Sequence, residues 1–76
     1  MKNSILEELG TRIRSKRKEL AWTQEDLAEI AGIDRSYIGG VERGERNLTF
    51  TVLCDICTAL KCDVAALTAG LPESFA

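Results

Sequence analysis

Residues 23–44, TQEDLAEIAGIDRSYIGGVERG, decide the fold because they encode two short helices joined by a minimal turn. Thr23 can cap the first helix, and Asp26 occupies its third position, where a carboxylate completes a capping box. Gly32 ends this helix, since a left-handed backbone is cheap only for glycine. Asp34 can cap the second helix, which ends at the glycine that closes the stretch.

The residues inside this stretch also suit a steep crossing of the two helices, which a minimal turn forces. Such a crossing needs a small residue at the contact, and Ala28 supplies one above the apolar side chains of the second helix. All the positions with special requirements are suitably filled, namely Leu27, Ala28, Ala31, Gly32, Ile33, Ile38 and Val41. The pattern therefore predicts a helix-turn-helix.

Helical periodicity continues on both sides of the motif and predicts three more helices. We expect a first helix from about Ser4 to Leu20, a fourth capped by Thr49 and a short fifth capped by Asp63. The apolar stripes are Ile5, Leu9, Ile13 and Leu20 on the first helix and Leu53, Ile56, Cys57 and Leu60 on the fourth. The expected fold is one compact all-α domain of five helices over residues 1–76.

Composition excludes several classes of protein. With 76 residues, 45% of them hydrophobic and 29% charged, the chain can form one globular core and is too apolar for a disordered segment. No apolar run approaches the roughly 20 residues that cross a bilayer, and no signal-peptide core follows the first residues, so we expect a cytoplasmic protein. The chain has no histidine and no phosphate-binding loop, so we expect neither an enzymatic activity nor a bound cofactor.

The three cysteines, Cys54, Cys57 and Cys62, are an odd set that does not indicate a disulfide framework. Cys54 and Cys57 have the spacing of a metal-binding pair, but a structural zinc site needs four ligands and the chain has no histidine. We therefore expect no metal and interpret the cysteines as small buried hydrophobic residues. Whether they have a redox role stays open.

The net charge of -2 is not that of a typical nucleic-acid binder, but the cations are clustered. Such clustering permits a basic face on a mildly acidic protein. The clusters are Arg12, Arg14, Lys16, Arg17 and Lys18 in one stretch and Arg35, Arg43 and Arg46 in another.

The segments TQEDLA at 23–28, DRSYIGGVERG at 34–44 and RNLT at 46–49 resemble the Cro and phage-repressor-like (XRE-type) family. Within that family the chain is most similar to the controller proteins of restriction-modification systems, and the likeness covers roughly residues 9–70. It implies a lambda-repressor-like fold and a transcription regulator that binds double-stranded DNA, with RNA polymerase as a further candidate partner. The chain departs from the family at Ala21, where a helix-ending glycine is usual, and in its cysteine-rich fourth helix.

Two other functions remain open at this point. An antitoxin or a phage-type repressor would have the same motif. A protein-interaction module would instead bind another protein through the apolar surface of helices four and five.

The resemblance also assigns DNA contacts to individual residues. The third helix would enter the major groove with Arg35 and Ser36 at the base edges, and an arginine can bind guanine O6 and N7 together. Tyr37 would contact a thymine methyl or a phosphate, or else pack against the following loop. Phosphate contacts fall to Thr23, Gln24, Arg43, Arg46 and Asn47.

Gly39 and Gly40 are unusual because each costs a helix interior roughly 1 kcal/mol relative to alanine. Both share the face of Arg35, Ser36 and Arg43. We expect a shallow surface there, flanked by arginines, that lets the helix backbone approach DNA. Mere tolerance of weak helix formers is the alternative.

Two charges break the apolar pattern. Arg17 lies on the core stripe of the first helix, and Glu42 lies on the buried side of the third. Since neither charge should be buried alone, we expect a structural ion pair between them. Members of the resembled family have such a bridge.

The C-terminal part of the chain holds more apolar residues than one small core needs. We expect a homodimer with its interface in about residues 53–76, which would place two reading helices roughly 34 Å apart on a near-palindromic operator. The predicted contact residues are Leu60, Val64, Leu67, Leu71 and Phe75.

Overall fold

A computed structural model describes residues 4–72 of the chain, and this part contains five helices and no strand. The helices are α1 Ser4–Glu19, α2 Gln24–Ala31, α3 Arg35–Glu42, α4 Phe50–Ala59 and α5 Val64–Thr68. The predicted all-α architecture is confirmed, with ends that differ by one residue at α1 and α3. None of these helices is long and apolar enough to cross a membrane.

The predicted helix caps are present and explain why the helices begin and end where they do. The Thr23 hydroxyl accepts a hydrogen bond from the Asp26 backbone N–H, and the Asp26 carboxylate accepts one from the Thr23 N–H at 2.8 Å. Gly32 ends α2 in the left-handed region with a φ of 71°. The remaining predicted caps are Asp34 for α3, Thr49 for α4 and Asp63 for α5.

One apolar core joins the helices. Its fully buried side chains include Ile13 from α1, Leu27 from α2, Ile38 from α3 and Ile56 from α4. The placement of Ile5 in the core was wrong, since this side chain is 37% exposed. It lies in the first turn of α1, beyond the edge of the core. The buried stripe of α1 begins one turn later, at Leu9.

Gly10 allows α1 to lie directly on the backbone at the end of α3. A Cβ atom at Gly10 would lie 2.6 Å from the carbonyl oxygen of Glu42 and in contact with that of Val41. Gly44 meets α1 as closely, because a Cβ there would be 2.7 Å from the backbone Cα atom of Glu7. The position of α3 is therefore set by contact between backbones, a role that the sequence analysis did not assign to Gly10.

The short helix α5 packs against α1 and α4 and completes this core. The Arg12 guanidinium holds its end, donating to the carbonyl oxygens of Ala69 at 2.7 Å and Leu67 at 3.2 Å. Leu67 is only 3% exposed, and Leu60 is fully buried.

This packing corrects the predicted dimer interface. Leu60 and Leu67 were wrongly placed there, because both side chains are buried in the core of their own chain once α5 packs on α1 and α4. Val64 and Leu71 are half-buried, so each keeps some accessible surface. Phe75 lies outside the described residues.

Two helices end at a non-glycine residue in the left-handed region. Ala21 follows α1 with a φ of 59°, and Lys61 follows α4 with a φ of 60°. In α1 the backbone N–H of Trp22 bonds the carbonyl of Arg17 at 3.2 Å, and that of Ala21 bonds Lys18 at 3.0 Å. These two bonds define a Schellman motif, which usually has glycine at the left-handed position.

Candidate nucleic-acid interface

The first turn of α3 exposes the two residues predicted to read bases. Arg35 and Ser36 are both exposed, and the Arg35 guanidinium has no hydrogen-bond partner within residues 4–72. Its five donors are therefore available to a base edge or a phosphate. This is the chemistry that guanine recognition requires.

Asp34 shapes the same turn. Its carboxylate accepts hydrogen bonds from the Ser36 hydroxyl and from the Ser36 backbone N–H, the latter at 3.0 Å. These two hydrogen bonds, the hydroxyl first, lower the pKa of Asp34. The Ser36 hydroxyl already donates its proton to the ionised Asp34 carboxylate. It can therefore offer a ligand only its acceptor lone pairs.

Gly39 and Gly40 do not form the open surface that we expected, and that prediction is wrong for the free chain. Both glycines are buried, because arginine side chains lie across them. A Cβ atom at Gly39 would be 3.1 Å from the Arg43 guanidinium, and one at Gly40 would be 3.1 Å from the Cγ atom of Arg46. The missing Cβ atoms leave room for the arginines on the helix backbone.

The two arginines also have partners of their own. Arg43 Nε donates to a Glu45 carboxylate oxygen at 3.0 Å, between side chains that are 57% and 43% exposed. The Arg46 guanidinium stacks over the Tyr37 ring, 5.1 Å from its centroid. Tyr37 is half-buried, and its packing against the loop arginine agrees with one of the two roles considered for it. A phosphate would have to compete with Glu45 for Arg43.

The predicted pair of Arg17 and Glu42 is present between two buried side chains. Arg17 Nε donates to Glu42 at 2.7 Å and Arg17 Nη2 at 2.9 Å, which makes a bidentate pair. The remaining nitrogen donates to the carbonyl of Trp22 at 2.8 Å. The hydrogen bond to Glu42 raises the pKa of Arg17. The pair joins α1 to the end of α3.

Gln24 belongs to this buried network, which the sequence analysis missed. Its side-chain amide donates to Glu42 Oε1 at 3.1 Å, so it connects the start of α2 to α3. A carboxylate has about four lone-pair sites and the arginine takes two, so a third donor could have been expected. In the free chain the Gln24 amide thus has a protein partner, although it was assigned to a phosphate.

Two other residues assigned to phosphate are accessible. Thr23 is exposed, and its hydroxyl accepts the capping hydrogen bond, which leaves its proton free to donate. Asn47 is exposed in the loop after α3. Both can reach an oxygen ligand from solvent.

The cation cluster of α1 is largely used inside the protein. Arg17 is in the buried pair, Arg12 holds the end of α5, and Lys16 lies 3.8 Å from Glu19. Arg14 and Lys18 are exposed. The cations gathered on the candidate interface are therefore those of α3 and the loop after it.

Comparison with known proteins gives consistent results. A family model described as Helix-turn-helix matches residues 13–67. The control protein C.SmaI of Serratia marcescens is 46% identical over 63 residues, which are 83% of this chain and 75% of that protein.

Two solved structures are similar along most of their length. The restriction-modification controller protein C.AhdI from Aeromonas hydrophila has a TM-score of 0.84 at 40% identity, covering 86% of this chain and 98% of its own. The controller protein C.Esp1396I, a tetramer in complex with its natural 35 base-pair operator, has a TM-score of 0.80 at 36% identity. That match covers 87% of each chain.

Proposed function

We propose that this chain is a transcription regulator that binds a specific DNA sequence. The chain belongs to the helix-turn-helix family, and the proposal starts from that membership. One observation carries this proposal: the exposed first turn of α3 holds an Arg35 guanidinium that has no hydrogen-bond partner within residues 4–72, and further cations follow at the other end of the same helix. A helix presented in this way can enter the major groove. The relative C.Esp1396I, with the same fold, is bound to operator DNA.

We assign base reading to the start of α3. Arg35 would bind a guanine through two nitrogens, and Ser36 would accept a hydrogen bond from a base amino group. Tyr37 would contact a thymine methyl or a phosphate. Gly39 and Gly40 would let the backbone approach the groove once the arginine side chains move from them onto DNA.

Phosphate contacts would surround this reading surface. Their donors are side chains at the start of α2, at the end of α3 and in the loop after α3. Phosphate contacts position a protein on DNA without reading the base sequence. We assign them to Thr23, Gln24, Arg43, Arg46 and Asn47.

Selection of bound sequences from random DNA by the purified protein tests the proposal. We expect the wild type to recover one sequence motif. Arg35→Ala should lose its preference at one base position of that motif and about 1 to 3 kcal/mol of binding free energy. Arg43→Ala is the matched control, since it should weaken all sequences alike and shallow the salt dependence by about one unit of slope. No enrichment by the folded wild type would contradict DNA reading and would favour a protein-interaction module.

We further propose that two copies bind a near-palindromic operator. Support comes from the tetrameric relative on its operator and from the accessible parts of Val64 and Leu71 at the end of the chain. A two-fold contact there would set two reading helices about 34 Å apart. Val64→Asp should give a monomer in sedimentation, with Glu29→Gln on a different helix as the control. Wild-type monomers that bind one asymmetric site would contradict the dimer.

Within this function we favour a restriction-modification controller. C.AhdI is described as a restriction-modification controller protein, and C.SmaI is described as a control protein. An antitoxin or a phage-type repressor remains the alternative. Binding of the purified protein to DNA upstream of a restriction endonuclease gene in its own genome would support the controller. Binding only upstream of a toxin or phage gene would contradict it.

RNA polymerase is a further proposed partner, which would place the protein in the cytoplasm. The outward face of α2 supports a protein contact, because Ile30 is 54% exposed and lines a shallow groove with Trp22, Asp26 and Glu29. Ile30→Ser should leave operator binding unchanged and reduce transcription in a purified polymerase assay. Equal transcription by the variant would argue against this surface.

A further inference from the structure

The end of α4 brings two cysteines together. The backbone N–H of Cys62 bonds the carbonyl of Cys57 at 3.0 Å, and the N–H of Lys61 bonds the carbonyl of Thr58 at 3.2 Å. Lys61 between them has the left-handed φ of 60°. These features form a second Schellman motif, in which Cys57 and Cys62 hold the two positions whose side chains commonly touch.

Backbone geometry limits the separation of the two residues. Their Cα atoms are joined through one carbonyl group, the 3.0 Å hydrogen bond and one N–Cα bond, so they lie at most about 7 Å apart. Disulfides span Cα separations of about 4.4 to 6.8 Å. The cap therefore holds the pair at a separation that a disulfide can bridge with little movement of the backbone.

Cys54 is less well placed to pair with Cys57. Both lie in α4, three residues apart, where Cβ atoms are about 5–6 Å from each other. A disulfide needs about 3.5–4.5 Å between Cβ atoms. Pairing of these two would distort the helix, whereas the cap brings Cys57 and Cys62 together outside the helical repeat.

The two thiols differ in access to solvent. Cys62 is half-buried, Cys57 is buried, and both are free thiols. Burial, followed by the proximity of Cys62, raises the pKa of the Cys57 thiol to about 12. Cys62 is therefore the sulfur that a dissolved oxidant meets first. No group of side chains within residues 4–72 is suited to hold a metal ion, so the pair does not belong to a metal site.

We propose that Cys57 and Cys62 are a modification site, at which a peroxide forms a reversible disulfide. The Cys62 sulfur attacks a peroxide oxygen, an S–O bond forms, the O–O bond breaks, and sulfenic acid and water result. The Cys57 thiol then gives up its proton, and its sulfur attacks the sulfenic sulfur. The S–S bond forms as hydroxide leaves and takes that proton as water. Two thiols are oxidised and one hydrogen peroxide is reduced to two waters.

Lys61 makes the site easy to map. Trypsin cleaves after lysine, so the unfolded chain yields one peptide from Asn47 to Lys61 with Cys54 and Cys57 and another from Cys62 to the end. Only a disulfide can hold these peptides together. The purified full chain is treated with hydrogen peroxide, alkylated under denaturing conditions and digested, alongside Cys54→Ser and Cys62→Ser.

We expect the wild type to lose two of its three alkylatable thiols and to give the joined peptides, which a dithiol reductant separates. Cys54→Ser should behave in the same way, while Cys62→Ser should give no joined peptides. Joined peptides that vanish in Cys54→Ser would overturn the proposal, as would a disulfide between chains or Cys62 oxidised beyond sulfenic acid without a crosslink. Circular dichroism of each variant before oxidation establishes that it is folded, and neither variant alters a fully buried side chain.

Discussion

Replacing Glu42 by alanine should destabilise the protein severely, because the change leaves a buried arginine without its counter-charge. Arg17 donates three hydrogen bonds, and Glu42 accepts two of them. After the change only the bond to the carbonyl of Trp22 remains. The Arg17 side chain is 8% exposed, so water cannot replace the lost carboxylate without opening the core.

The expected loss is about 3 to 5 kcal/mol, the range measured when one member of a buried pair is removed. The free energy of unfolding of native proteins is about 5 to 15 kcal/mol, so this loss is a large share of the total. Gln24 also loses the acceptor of its 3.1 Å hydrogen bond, which adds to the effect at the start of α2. The double variant Arg17→Met with Glu42→Leu removes both charges and should recover most of the loss.

Urea unfolding, followed by circular dichroism and the fluorescence of Trp22 at one fixed protein concentration, measures these free energies. Glu19→Ala is the matched control, since it removes a carboxylate from an exposed pair with Lys16 and should change stability by less than about 1 kcal/mol. A loss below about 1 kcal/mol for Glu42→Ala would refute the reasoning. A double variant no more stable than Glu42→Ala would refute it too.

Four further outcomes are expected. Gly10→Ala should lower the free energy of unfolding by about 2 kcal/mol despite better helix propensity, because its Cβ would meet backbone carbonyls; an unchanged melting temperature would contradict the close approach. Ala21→Gly should raise stability by about 0.5–1 kcal/mol by relieving the left-handed φ of 59°, and a lower urea midpoint would argue against strain there. If the proposed function holds, Glu45→Gln should bind all DNA sequences about two- to fivefold more tightly, and Arg43→Ala should remove that gain in the double variant; a gain that persists would mean direct repulsion of phosphate by the carboxylate. The thiol of Cys57, whose pKa rises from 9.0 to about 12 on folding, contributes stability that is full below about pH 9 and is lost as the pH rises toward 12, so reduced wild type should lose stability above pH 9 more steeply than Cys57→Ala in urea titrations.

The features predicted correctly are those that depend on short stretches of chain. Thr23 with Asp26, and Gly32 after them, form their cap and turn from neighbouring residues, so their types and spacing are sufficient evidence. The buried pair could be predicted because a charge on an apolar stripe needs a partner. Both arguments use local periodicity and one physical constraint.

The features that could not be predicted depend on how the helices pack. Gly10 reads as a weak helix former until α1 is seen on the carbonyls of α3. Leu67 reads as spare apolar surface until a helix of five residues is found folded onto α1. The surface of Gly39 was misjudged for the same reason, because no periodicity shows that a long arginine side chain will lie back across its own helix.

The contact between α1 and the end of α3 also separates two tasks within an eight-residue helix. Backbone atoms and the inward side chains Ile38 and Val41 hold the helix in place. At its start both Arg35 and Ser36 are exposed, and in the described part of the chain the Ser36 side chain bonds only the neighbouring cap residue Asp34. Exchanging the two outward residues should therefore leave the scaffold unchanged. The chain is in this sense modular, and a library restricted to residues 35 and 36 could be screened for new operators without repairing the fold for each member.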